Sequence, residues 1–444
     1  MDPRLPTARR TRVYSAVVGA ALAITSLAAA SPVSASTAPY LVKDINSAGD
    51  SRPTWLTQMG DKLFFVAKTE SKGRELWSSN GTSNGTRLVK DIRPGGHGSD
   101  INYITAIGDR LYFWANDGVT GTELWTSDGT TAGTKLVADI HPGPEGSDPW
   151  GFTELNGLVY FGADNGTTGR DLFRTDGTPA GTQLVKDIQT GTAGAFLYCC
   201  VPFMGKLYFI QYDNGGTNLL YKSDGTAAGT KPVRDRAGNL VDGDLGSMAV
   251  VGSTLYFGRD LHLWKSNGTP STTRKISNVG PGRIVGMGGT AYYTAQNGIW
   301  ATDGTAATTR KLSDLPESWS TLLYTDGETL FIVPSSDQPW ISDGTTAGTH
   351  VLGKQVTAIT EGVVLGGVLY FGGASDEENE TYSGPSNCPF GYRFLWRTDG
   401  TTDGTYDVNP NIDYCIGELL AVGNSVYFTS DADGHGREIW RYVP

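Results

Sequence analysis

Short apolar runs separated by turn-forming residues dominate the chain after its first segment. Leu111-Tyr112-Phe113 lies between Gly108-Asp109 and Asn116-Asp117-Gly118, and the run returns as Leu207-Tyr208-Phe209, Leu255-Tyr256-Phe257 and Leu369-Tyr370-Phe371. A run of this length bounded by such turns predicts a strand, and its lack of alternation predicts burial on both faces. Around the 111–113 run three further strands follow from the same logic: Ile101–Ile107 before it, then Glu123-Leu124-Trp125, then Lys135–Ile140, with Asp128-Gly129 and Pro142-Gly143 as the remaining turns. No helical periodicity is found beyond the N-terminal segment. A two-layer sandwich calls for alternating strands, whereas blades stacked on one another bury both faces of each sheet.

The four-strand unit repeats. Glu75-Leu76-Trp77-Ser78-Ser79-Asn80-Gly81-Thr82 recurs as Glu123–Thr130 and as Asp171-Leu172-Phe173-Arg174-Thr175-Asp176-Gly177-Thr178, at exact 48-residue steps. The Asp/Asn-Gly-Thr signal then returns at 224, 267, 303, 343 and 399, after 48, 43, 36, 40 and 56 residues. Nine second strands are counted, and eight stay open if one of the shorter copies between 264 and 340 is lost. The expected fold is therefore a single all-β propeller of four-stranded blades. Leu41–Ile45 reads as a fourth strand without a third, and Ile439-Trp440 as a third without a fourth, so the two ends are expected to complete one blade and close the ring.

At this point the units resemble the ELWxxDGT repeat proteins of bacteria, whose motif stands here as Glu123-Leu124-Trp125-Thr126-Ser127-Asp128-Gly129-Thr130. The resemblance spans residues 40–444 and implies an exported, repeat-built protein; it implies no particular activity. Copies five to seven depart from the motif: His262-Leu263-Trp264, Gly298-Ile299-Trp300 and Gln338-Pro339-Trp340 lack the Glu.

The first 35 residues carry Arg4, Arg9, Arg10 and Arg12, an uncharged apolar stretch from Val13 to about Ala30, and small residues ending in Val33-Ser34-Ala35. This is a signal-peptide layout with cleavage expected after Ala35 (Ala30 second), and it predicts a secreted, extracellular product without a membrane span. The residues after Arg9-Arg10 fit a twin-arginine signal poorly. The formal charge is −11, and loss of residues 1–35, with four Arg and one Asp, makes it more negative. Nucleic acid is not an expected partner, because neither net charge nor any basic run supplies a phosphate-binding face. Four cysteines in an oxidising compartment allow three pairings. Cys388 with Cys415 is favoured, since both lie in one repeat-sized stretch, leaving Cys199 and Cys200 as neighbours that bridge or stay reduced.

The chemistry legible in the chain is sparse. The Asp of Asp-Gly-Thr is a turn residue, since Asn80 and Asn267 replace it, a swap a catalytic carboxylate would not tolerate. The mid-blade Trp series (Trp77, Trp125, Trp264, Trp300, Trp340, Trp396, Trp440) reads as packing between blades. Trp55, Tyr103, Trp150 and Trp319 stand near the starts of first strands, beside the expected channel, and are the candidate ligand-stacking residues. Asp431-x-Asp433-Gly434 with Glu438 has oxygen-ligand spacing that suits calcium, the one cofactor for which there is any signal. An acidic insertion at 375–392 enlarges one unit. Five scattered histidines and the lack of a nucleophile elbow, Walker loop or HExxH give no catalytic signature. The leading expectation is a monomeric, non-catalytic recognition or scaffold propeller, binding a polysaccharide, peptide or surface protein on its long-loop face. A carbohydrate-active hydrolase or lyase at the central channel is the alternative, and a calcium-stabilised adhesin the third.

Overall fold

The computed structural model describes residues 38–444 apart from 192–193, 195, 213–217, 297, 316–320, 335–337, 355, 357–361, 375–393 and 410–414. Its strands form nine four-stranded antiparallel sheets, eight of them in simple sequence order. The first eight blades occupy residues 54–90, 102–138, 150–186, 196–232, 245–277, 284–313, 322–351 and 362–407. The ninth joins Leu419–Val422, Ser425–Ser430 and Glu438–Tyr442 to the N-terminal strand Tyr40–Lys43, which pairs Leu41 with Trp440. Each first strand touches the first strand of the next blade, nine times round, so the first strands form the inner ring of a β-propeller.

The second strands are buried along nearly their whole length, as at Leu63–Ala67, Leu207–Gln211 and Leu330–Val333. Their side chains alternate between two inter-blade cores. Leu63 and Phe65 pack with Val42, Tyr427 and Ile439 of blade 9, while Phe64 and Val66 pack with Leu111, Phe113 and Trp125 of blade 2. The mid-blade Trp77, Trp125, Trp396 and Trp440 are buried and Trp264, Trp300 and Trp340 half-buried, in keeping with a packing role.

The Ser/Thr-Asp-Gly-Thr-x-x-Gly-Thr string is a hydrogen-bonded loop in which each polar residue has a task. In blade 2 Asp128 Oδ1 accepts from the Thr130 amide (2.9 Å) and hydroxyl (2.7 Å). The Thr130 hydroxyl in turn accepts from Gly133 N, and the Ser127 and Thr134 hydroxyls pair at 2.7 Å. The same bonds recur around Asp176, Asp224, Asp343 and Asp399. Lysines on fourth strands tie three of these loops to the preceding blade: Lys43 donates to Thr86 O, Lys90 to Thr134 O and Lys186 to Thr230 O, at 2.6–2.9 Å.

One departure from the repeat was not anticipated. The first strands of blades 1 to 5 each carry a bulge, between Thr54 and Thr57, Asn102 and Thr105, Trp150 and Thr153, Tyr198 and Val201, and Leu245 and Met248, at the strand start in all but blade 4. Those of blades 6 to 9 pair in unbroken register. Trp55 and Tyr103 take φ values of +60° and +56° at the bulge, unusual for bulky residues.

Candidate recognition surface at the channel mouth

The loops joining second to third strands and those joining fourth to first strands meet on one face, as the meander requires. Ser99 N donates to Arg74 O, Ser147 N to Thr122 O, and Arg52 N to Arg437 O across the closure. The contact is tight enough to specify glycine: a Cβ on Gly121 would stand 2.6 Å from Gly146 N.

The motif carboxylates lie directly beneath this face and hold its loops. Glu123, with no solvent exposure, accepts from Ile140 N (3.0 Å), His141 N (3.1 Å) and the Ser147 hydroxyl (2.5 Å). Glu75 repeats this with Ile92 N, Arg93 N and Ser99, and Asp171 accepts from Ile188 N. In blade 9 Glu438 accepts from Ile45 N (3.2 Å) and Ser51 (2.6 Å), so the same device spans the junction of the two ends. Burial pushes Glu75, Glu123 and Glu438 up to about 7 and Asp171 to about 6, against the opposing pull of their hydrogen-bond donors. These are the most perturbed carboxylates described, and each is occupied by its own loop.

The first-strand aromatics gather at the same end of the inner ring, in blades 1 to 4. Trp55 packs on Tyr103 (centroids 5.4 Å apart) and Tyr103 meets Trp114 edge-on at 5.0 Å, while the Trp55 indole N–H donates to Asn102 Oδ1. Trp150 lies nearly parallel to Phe196 (5.3 Å, 12°), and Phe196 is set at 59° to Tyr212. The Trp150 N–H donates to Leu197 O at 2.8 Å, and the Arg170 guanidinium stands 5.6 Å from its ring centre and 3.5 Å from Asp148. Three of the four aromatics expected at this mouth, Trp55, Tyr103 and Trp150, are therefore half-buried there; Trp319 lies outside the described residues. Phe196 and Tyr198 had gone unnoticed and are the more exposed, at 48% and 37%. Their strand deviates from its counterparts at Cys199-Cys200, and that deviation was the available signal.

Beside blade 5 the mouth changes character. A cavity of about 210 Å³ is lined by Asp244, Ser247, Arg259, Leu261 and glycines, with Arg259 ion-paired to Asp242 at 2.8 Å and set over Trp264. Of the calcium candidates, Glu438 is turned into the closure, Asp431 is half-buried, and the Asp433 side chain lies outside the described residues. Among the described residues no group of three or more His, Cys, Asp or Glu is placed to hold a metal ion. No described cysteine is free, and Cys388, the expected partner of Cys415, lies outside the described residues. No described helix is long and apolar enough to cross a membrane.

Ring, blade order and mouth define a nine-bladed β-propeller. No family model and no curated protein sequence matches the chain. Among solved structures it is similar to the computationally designed Ika8 protein (14% identity, 76% of this chain and 97% of that one, TM-score 0.45). It is similar also to BamB from Moraxella catarrhalis (14%, 77% and 93%, TM-score 0.43). A puromycin-hydrolysing peptidase of Mycobacterium tuberculosis matches at 11% identity and TM-score 0.46, over 88% of this chain but only 61% of the peptidase.

Proposed function

We propose that this chain is a secreted, non-catalytic recognition propeller of the ELWxxDGT repeat kind, which engages an extracellular polysaccharide, peptide or surface protein at the channel mouth. The observation that carries the reading is where the repeat symmetry breaks. Bulged first strands and clustered aromatics occur together on blades 1 to 4, on the face that bears the long loops, while the opposite face keeps the regular Asp-Gly-Thr loops. Functional departures from a repeat concentrate on one face of such arrays. The non-catalytic half of the reading rests on Glu75 and Glu123, both of whose carboxylate oxygens accept from loop amides and hydroxyls that a substrate would have to displace. Secretion rests on the N-terminal charge and apolar pattern.

A polysaccharide and peptide array probed with the purified mature chain, with and without calcium, tests this, each bound polymer then being checked for length. Retention without shortening is the expected result. Shortening of a bound polymer would replace this reading with that of a hydrolase or lyase.

A further inference from the structure

The first strand of blade 4, Phe196–Phe203, departs from its eight counterparts by displaying aromatic rings rather than packing them. Before its bulge the strand pairs regularly, Phe196 with Tyr212, Leu197 with Gln211 and Tyr198 with Ile210. Side chains therefore alternate: Leu197 is fully buried, while Phe196 and Tyr198 share the opposite face and are the exposed pair. Two residues along a strand place their Cα atoms roughly 7 Å apart. Trp150 backs Phe196 in a near-parallel stack and is itself held by its N–H bond to Leu197 O, so the platform is stiff before anything binds. Tyr212, inclined at 59°, raises a wall beside it.

Resting on the recognition reading above, we propose that Phe196 and Tyr198, backed by Trp150 and flanked by Tyr212 and the Arg170–Asp148 pair, form a stacking subsite for consecutive rings of an uncharged polysaccharide. The charge distribution selects this occupant. Arg170 and Asp148 stand 3.5 Å apart and offset one another, and the carboxylates of Asp164 beside Asp148 and Asp244 beside Tyr212 add negative charge, which repels an anionic polymer. Together they offer donors and acceptors fixed in place, which suit hydroxyl groups, and flat ring faces suit the C–H faces of a pyranose. An apolar peptide would gain from the rings but reach this pair only through its backbone amides, whereas each pyranose presents several hydroxyl groups.

The test uses the mature chain against soluble neutral polymers (a β-glucan, a mannan, a chitin oligosaccharide), an acidic one (polygalacturonate) and a displayed random-peptide library. The variants are Phe196→Ala and Tyr198→Ala, with Met204→Ala, an exposed apolar residue in the turn after this strand, as control. At least one neutral polymer is expected to bind, about tenfold more weakly to each aromatic variant and unchanged with Met204→Ala. Binding of neutral polymer that ignores both aromatic substitutions overturns the subsite. Binding of the acidic polymer alone overturns the ligand class. Peptides selected in place of glycans, and lost with Phe196→Ala, overturn the glycan assignment while the recognition reading survives. Silence of every probe overturns both.

Discussion

An exposed aspartate can be a structural residue when the groups it binds belong to its own loop. Asp128 is held below the usual carboxylate range by the Thr130 hydroxyl and amide, and the same holds at Asp176, Asp224, Asp343 and Asp399. An amide oxygen can accept the same two bonds, as Asn80 does toward Thr82. Asp128→Asn should therefore be nearly neutral in urea unfolding, while Asp128→Ala should cost about 1 kcal/mol. The buried motif carboxylate behaves oppositely. Glu123→Ala leaves the Ile140 and His141 amides and the Ser147 hydroxyl without their acceptor in a closed site, and should destabilise by about 3 kcal/mol. Its titration also fixes a sign. Glu75, Glu123 and Glu438 keep their proton up to about pH 7 when folded but lose it near 4.5 when unfolded, so the folded state binds more protons in that window. Stability should fall as pH rises from 4.5 to 7 and level off above, giving a higher melting temperature at pH 5 than at pH 8. Melting curves of the mature chain at the two pH values decide it, and Glu123→Gln should reduce the difference by about a third, Glu75 and Glu438 keeping the rest.

At the scale of loops and strands, identical backbone signs have different causes. Gly108 and Gly121 both have positive φ, +61° and +74°. Around Gly108 a methyl group meets nothing within 4 Å, whereas at Gly121 it would meet Gly146 N at 2.6 Å and Pro144 O at 2.8 Å. Gly108→Ala should cost about 1 kcal/mol of backbone strain, and Gly121→Ala distinctly more, because the two loops of the mouth must part. Equal shifts in the two denaturation midpoints would refute a close-packed mouth. The same contrast explains what was legible in the chain. Turn residues, the apolar second strands and the Ser/Thr-Asp-Gly-Thr loop are fixed by local rules, and each stands where pattern alone places it. The mouth is not local. Nothing in Thr54-Trp55-Leu56-Thr57 announces a bulge, since a bulge depends on the neighbouring strand and on the Thr57 hydroxyl reaching Ile104 O in the next blade. Trp150 was legible as a candidate by type and position, but Phe196 and Tyr198 were not, because the placement of Phe196 depends on a stack with Trp150 of another blade and that of Tyr198 on the register ahead of the bulge.

At the scale of the whole ring, eight blades are continuous in sequence and the ninth is assembled from both ends. That junction uses the parts found elsewhere: Leu41 opposite Trp440, Lys43 donating to Thr86 O, and Glu438 accepting from Ile45 N and Ser51. Repeat stacks gain stability from contacts between neighbours, so a ring has one more interface than an open array of the same units. Removing residues 36–45 takes away the fourth strand of blade 9 and the Ile45 amide, and strips Val42 and Ile45 from the core shared with Leu63 and Phe65 of blade 1. The outer edge of Glu438–Tyr442, which carries the buried Trp440, would then lie open. The truncated chain should unfold at lower urea and self-associate, as read by size-exclusion chromatography, and a synthetic peptide of residues 38–48 should reverse both effects. A truncated chain that stays monomeric with an unchanged midpoint would mean that the eight sequential blades hold the ring by themselves, and that the closing strand adds nothing to its stability.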